Sequence, residues 1–499
     1  ITVSNTLYIG NTTPGDTTVN FRSPSGDNAW SGTVYIHDTH PYAKVGVEAG
    51  STLTITGLIR PRGAAVGSLT KLGDGTLIIT HDNTYTGRTY VDEGLVNIRH
   101  GNALGTTDAG TSVASGAALQ VQGSIAVGAE ALTLSGDGIG GTGALRSISG
   151  DNGWGGPVTL NGTVAVGVDA DSLTVSGAIG GGALTKVGAG TLVLSGANTY
   201  TGRTTVVEGT LKLAGGDDRI NPNTDIRLET GGTLDLNGQN QTFIPWSRFR
   251  SGSTALLNGG GTLTLHSADI WSGATISGSG SLVKTGSGTV TFGSGNASFT
   301  GGTFINDGRL ALYSGSNRLP TTGDVEVNGP GIFDLNYYAN GGRTQTIHDL
   351  SGDGTVRLNG VAFVVGNGNG SSDFSGLIEG GAYDAQNGGS LPNGTLTKTG
   401  TGTITLSGGN TYAGQTTVAQ GILRITHGGA LGTADAGTTV AAGAAFQVQD
   451  NITVGAEALD ITGRGISNTG ALRSTSGNNT YNGDITLRYD GSLKPFIGV

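Results

Sequence analysis

A block of about thirty residues recurs four times along this chain, and that self-similarity restricts the fold more than any other feature. The first copy reads Leu69-Thr-Lys-Leu-Gly-Asp-Gly-Thr-Leu-Ile-Ile-Thr80, then Asn83-Thr-Tyr-Thr-Gly-Arg-Thr-Tyr-Val91, then Glu93-Gly-Leu-Val-Asn-Ile98. The second runs from Leu184 through Asn198-Thr-Tyr-Thr-Gly-Arg-Thr-Thr-Val206 to Leu213. The third, more degraded, spans Leu282 to Leu312, and the fourth runs from Leu396 through Asn410-Thr-Tyr412 to Ile425. The block lysines, Lys71, Lys186, Lys284 and Lys398, stand 115, 98 and 114 residues apart, as one module with variable insertions would place them. A second motif, Ser25-Gly-Asp-Asn-Ala-Trp30, recurs as Ser149-Gly-Asp-Asn-Gly-Trp154 and Ser476-Gly-Asn-Asn-Thr-Tyr481. A longer duplication carries 69–146 into 396–473 at a constant offset of 327 residues.

Glycine accounts for 95 of the 499 residues, more than twice its usual share of about 7 %. Each interior glycine costs a helix about 1 kcal/mol relative to alanine, so long helices, bundles and coiled coils are excluded. Glycine has no strict period of three and prolines number only 11, which excludes collagen. Recurrent alternation of Val, Ile, Leu and Thr, with a net charge of only −10, argues against disorder. There is no run of about 18 apolar residues, so no transmembrane segment is expected. The acidic balance, with 26 Lys and Arg thinly spread, argues against a nucleic-acid partner. Cysteine is absent, which removes disulfides and thiol chemistry and suits a chain exported unfolded. The chain opens at Ile1 without an initiator methionine, and reads as a mature product or an excised segment.

Within each module, runs such as Thr-Leu-Val-Leu alternate for four to six residues and are broken by Gly, Asn-Gly or Asp-Gly. Alternation of this kind gives half-buried strands. Near-identical repetition with glycine at the corners favours a solenoid, in which each coil buries its apolar face on the next. The expectation is an all-β chain, one continuous parallel β-solenoid over 1–499. At roughly 20–25 residues per coil it has about 20–25 coils, and at ~4.8 Å per coil it is a rod of about 100–120 Å.

The block Leu-Thr-Lys-x-Gly-x-Gly-Thr-Leu-x-Leu-Ser-Gly-x-Asn-Thr-Tyr-Thr-Gly resembles the autotransporter-associated β-strand repeat of bacterial surface proteins. Residues 184–213 match it almost throughout, and 69–98 and 396–425 match well; the likeness is weakest at about 215–280 and 313–394. The resemblance implies a right-handed parallel β-helix exported to the bacterial surface or beyond, as a passenger of a type V secretion system or within a large repetitive surface protein. The C-terminal translocator barrel of that family does not appear by Val499.

Chemistry is sparse. His37-Asp38-Thr39-His40 has unspecific spacing, and an exposed turn is the default reading. His81-Asp82 and His348-Asp349 have the order of a base and its orienter, but no Gly-x-Ser-x-Gly elbow accompanies them and Ser351-Gly-Asp-Gly354 is not a protease signature. Asp92-Glu93 and Asp217-Asp218 are adjacent, so on a strand their side chains face opposite ways. Asp74-Gly75 and Asp353-Gly354 lack the tandem pattern of calcium repeats, and no helix follows the glycine-rich run 136–143 to make a nucleotide loop. No catalytic, metal or cofactor-binding residue is assigned.

Aromatics at repeat positions (Trp30, Trp154 and Tyr481; Tyr85, Tyr200, Phe299 and Tyr412) read as structural. Two segments break the repeat. Phe243-Ile-Pro-Trp-Ser-Arg-Phe-Arg250 offers Phe243, Trp246, Arg248, Phe249 and Arg250, and Phe333-Asp-Leu-Asn-Tyr-Tyr338 offers Tyr337 and Tyr338, as corner-filling bulges or contact loops for a partner or glycan. Strand-like ends, with Val3, Leu7 and Ile9 at one and Phe496, Ile497 and Val499 at the other, are candidates for end-to-end joining. The leading functional expectation is a non-enzymatic extracellular structural protein that self-associates into a filament or matrix. The alternative is a cell-anchored adhesin that binds host, sibling cells or glycans, and a polysaccharide-degrading enzyme or protease is the third class.

Overall fold

The computed structural model describes all residues except 11–18, 38–41, 65, 271–272, 294–295, 314, 336–341, 381–382, 385–388, 391–392, 490, 492–493 and 499. The chain divides into two compact units, Ile1–Gln241 and Thr242–Val499. Each is a parallel β-solenoid, as the repeats predict. Among the described residues no α-helix occurs, and the one antiparallel pair joins Tyr383–Asp384 to Gly389–Ser390.

Alternation becomes a stack of columns. In Thr191–Leu194 the two leucines are buried while Thr191 and Val193 face outward. In the first unit one inward column runs Leu53, Leu77, Val96, Leu119, Leu145, Val166, Lys186, Val206, Leu228, each paired in register with the next. All nine are buried. Each rung therefore covers the apolar row of the one beneath it, at about 25 cal/mol per Å² of apolar surface removed from water.

The lysine in that column is the signature of the repeat. Lys186 is fully buried, and its Nζ donates to the carbonyls of Val187 (2.9 Å), Gly188 (2.6 Å) and Glu208 (3.2 Å). Lys71 does the same to Leu72, Gly73 and Glu93, and Lys284 to Thr285, Gly286 and Asp307. Lys398 does so to Thr399, Gly400 and Gln420. Two of the three carbonyls belong to the tight turn that follows the lysine, and the third lies one rung on. Burial pushes each amine down to about 8, so at neutral pH it is still an ammonium, with all three donors engaged.

The Asn-Thr-Tyr element forms a second tie. Ile179 N donates to Asn198 Oδ1 (2.8 Å), and Asn198 Nδ2 donates to Arg219 O (2.7 Å), so one amide spans three rungs. Asn83 and Asn410 make the matching bonds. Two residues on, the buried hydroxyls of Tyr85, Tyr200 and Tyr412 meet Thr89, Thr204 and Thr416 at 2.7, 2.8 and 2.6 Å. Phe299, at the equivalent place in the third block, is buried without a hydroxyl.

The first two blocks do not stack in one column. Strand pairing upward from Lys71 passes through Val91, Val113, Leu134 and Leu160 to Gly181. Lys186 lies five residues beyond Gly181, on the next face of that coil. The duplication at offset 327, by contrast, keeps its columns: Lys398, Val418, Val440, Ile461 and Leu487 pair in the same order.

Candidate contact surfaces and titratable sites

The repeat-breaking segment 243–250 continues the coil. Ser247–Phe249 is a regular strand paired with Ala268–Ile270. Period-two alternation turns Phe243 and Phe249 into the core, 0 % and 1 % exposed, so neither ring is offered to a partner. Trp246 is on the surface, 46 % exposed, with the Arg248 guanidinium 4.4 Å above its ring; Arg250 is half-buried. Tyr337 and Tyr338 lie outside the described residues.

A stronger aromatic and basic surface lies in the first unit, where sequence reading had not placed one. Leu7–Ile9, Val34–Ile36 and Ile59–Pro61 pair in register as three rungs of one face. Their central residues, Tyr8, Tyr35 and Arg60, point outward. Tyr8 is 56 % exposed and stacks on Tyr35, centroids 5.2 Å apart and planes 15° apart. Arg60 lies 5.7 Å from the Tyr35 centroid, and Arg62 lies 5.4 Å from that of Tyr8. The matched tripeptides Leu7-Tyr-Ile9 and Val34-Tyr-Ile36 carried this signal in the sequence.

Of the end strands, Val3 pairs with Trp30, Leu7 with Val34, Ile9 with Ile36, and Ile497 with Leu472, each on one side among the described residues. Phe496 is exposed, and Val499 lies outside the described residues. Recesses of about 200 Å³ beside Val3 and 120 Å³ beside Ile497 are lined by neither histidine nor carboxylate.

Of the histidine pairs, Asp38 and His40 lie outside the described residues. His81 Nδ1 turns to the Asp82 carbonyl (2.9 Å). His348 Nδ1 meets Asp324 Oδ1 at 2.7 Å, a carboxylate from another rung. Asp217 accepts from the backbone and side chain of Asn240, which hold its carboxyl below the usual range.

Glu130 is a buried acid that sequence reading missed. It is 3 % exposed, and burial pushes its carboxyl up to about 7 while Thr111 Oγ1 donates to it at 2.7 Å. Trp154 Nε1 donates to the Glu130 carbonyl (3.0 Å). Across the duplication, Glu457 and Thr438 repeat the pair at 2.8 Å. The folded Glu130 carboxyl holds its proton where the unfolded chain has lost it. Its contribution is therefore complete below about pH 4.5 and is lost as pH rises through about 7. Thermal unfolding of the first unit should show a loss on the order of 1–2 kcal/mol over that window, with the Thr111 hydrogen bond and the nearby Arg88 charge opposing the burial effect. Glu130→Gln should flatten the profile; an unchanged slope would contradict the assignment.

Residues 69–98, 184–213, 282–312 and 396–425 each match the passenger-associated-transport-repeat family. The chain is also similar to the adhesin BmaC autotransporter of Brucella suis biovar 1 (strain 1330), 31 % identical over 256 residues that cover 47 % of this chain and 7 % of the relative. It is 44 % identical to an extracellular serine protease of Serratia marcescens over 86 residues, 17 % of this chain and 8 % of the relative. The chain thus spans less than a tenth of the length of either curated relative.

Proposed function

We propose that this chain, a solenoid built on autotransporter passenger repeats, is a non-enzymatic contact segment of a bacterial surface adhesin, and that it binds acidic polysaccharide. The ladder of Tyr8, Tyr35, Arg60 and Arg62 carries the reading. Its two guanidinium groups lie against the rings of half-buried Tyr35 and exposed Tyr8 on one sheet face, which suits carboxylate or sulfate groups beside sugar rings. Trp246 with Arg248 repeats the pairing in the second unit. Single contacts of this kind are weak, and repetition along a polymeric ligand supplies avidity. The adhesin relative supports the contact role.

The test is retention of the purified chain on immobilised polyuronate and sulfated glycans across a salt gradient. Expected is salt-sensitive binding that falls about tenfold or more in Arg60→Gln/Arg62→Gln, since each lost charged hydrogen bond removes roughly 1.5–3 kcal/mol of which water restores part. Binding to neither glycan, or equal binding by the variant, would overturn the proposal. Sedimentation velocity over rising concentration addresses the filament reading: growth into long oligomers would move the functional surface to the end strands.

A further inference from the structure

Charges on neighbouring rungs are opposite in sign at Arg146–Asp169, Arg203–Asp225, Arg357–Glu379 and Arg488–Asp460. One corner of the second unit departs from this rule. Val325 pairs with Leu350, and Val325 N donates to the Asp349 carbonyl (2.9 Å), so Asp324 and Asp349 occupy the same position on successive rungs. Like charges placed opposite each other across a ladder destabilise it. Between them stands His348, its Nδ1 2.7 Å from Asp324 Oδ1 and 3.6 Å from Asp349 Oδ2. One ligand atom from each of the three residues lies within 4.8 Å of the others.

Those separations bracket the roughly 3.3–3.5 Å between ligands of a tetrahedral ion with bonds of about 2.0–2.2 Å. The following rung contributes bare backbone here. A Cβ at Gly368 would fall 1.8 Å from His348 Nε2, and one at Gly370 would fall 2.2 Å from Asp349 Oδ2. Glycine at both positions is what lets the imidazole and the carboxylate occupy this corner. Asp324, with its side chain 64 % exposed, leaves the outer side open to water. Burial, reinforced by Asp324, holds the Asp349 carboxyl above its usual range against the pull of His348 and Lys398.

We propose that Asp324, His348 and Asp349 bind one divalent transition-metal ion of the zinc type, through one oxygen of each carboxylate and Nδ1 of His348. The ion replaces a like-charge contact with a bridge between two rungs, and water completes its coordination. One imidazole with two carboxylates suits zinc, cobalt or manganese; calcium requires six to eight oxygens, which this corner lacks.

The test is titration of the chelator-treated full chain with Co²⁺, read by its visible absorption, followed by displacement with Zn²⁺. Expected is saturable binding of one ion, an absorption envelope of low coordination number, and a higher thermal midpoint for the chain with Zn²⁺ than without. His348→Gln and Asp349→Asn should each weaken binding about tenfold or more, and His266→Gln should leave it unchanged. Asp324→Asn, at an exposed position, keeps the test decisive if either buried-side variant fails to fold. Absence of saturable binding, or equal affinity in His348→Gln and Asp324→Asn, would overturn the proposal.

Discussion

Lys186→Met is expected to cost the Ile1–Gln241 unit about 3–5 kcal/mol, although methionine fills nearly the same volume and is the more apolar side chain. Burial alone would favour the substitution. The cost arises because the carbonyls of Val187, Gly188 and Glu208 converge on Nζ and would be left without that donor. Each buried acceptor stripped of its partner costs roughly 1–3 kcal/mol, and the charge on the donor places these bonds at the upper end. Two of the carbonyls belong to the turn after the strand and one to the next rung, so the loss should spread to both. Hydrogen exchange should show faster opening across 184–213 than in the rungs nearer Leu53. A destabilisation below about 1 kcal/mol would mean that other groups satisfy these carbonyls.

Gly209→Val is expected to be of similar size, about 3–5 kcal/mol, for two separable reasons. At φ +67° a β-branched side chain is strained. A Cβ there would also fall 2.5 Å from the carbonyl oxygens of both Gly188 and Gly190 in the rung below. Gly162 separates the two effects, with φ +74° and nothing within 4 Å of its Cβ. Gly162→Ala should cost about 1–2 kcal/mol, the conformational penalty alone, and Gly209→Ala clearly more. Equal costs in urea unfolding would show that strain alone fixes this glycine. Gly94, Gly308 and Gly421 close their turns over the preceding rung in the same way, so the prediction extends to every block.

Much of the fold was legible because a solenoid is built from local rules. Alternation in runs such as Thr191–Leu194 implied half-buried strands, glycine at the corners removed helices, and the recurrence of Tyr85, Tyr200 and Tyr412 marked structural positions. The same alternation, applied to 247–249, would have turned Phe249 inward; grouping the segment by aromatic content obscured it. The Tyr8–Tyr35 ladder was missed for a related reason: each tyrosine looks like an isolated exposed ring until the two strands are placed one rung apart. Glu130 carried no signal, because its environment comes from Thr111 and Trp154, 19 and 24 residues away. His348 and Asp349 were visible as neighbours, whereas Asp324 joins them only because a rung of the solenoid separates it from Asp349.

The sequence alone determined the type of architecture, since period-two alternation, abundant glycine and fourfold recurrence admit little besides stacked parallel rungs. It also determined which local turn recurs, because the five-residue Lys-x-Gly-x-Gly segment carries within itself two of the three carbonyls that its lysine binds. Only the tertiary structure decided which face each block occupies. The five rungs from Lys71 to Gly181 take 110 residues, whereas the blocks are 115 apart, so the second block's lysine lies five residues further on, on the next face, and enters a different column. Column membership depends on the summed lengths of all intervening turns, and one added residue in any of them moves everything that follows. A repeat unit therefore specifies its own turn, while its neighbours across the rungs are set by the whole path of chain between them.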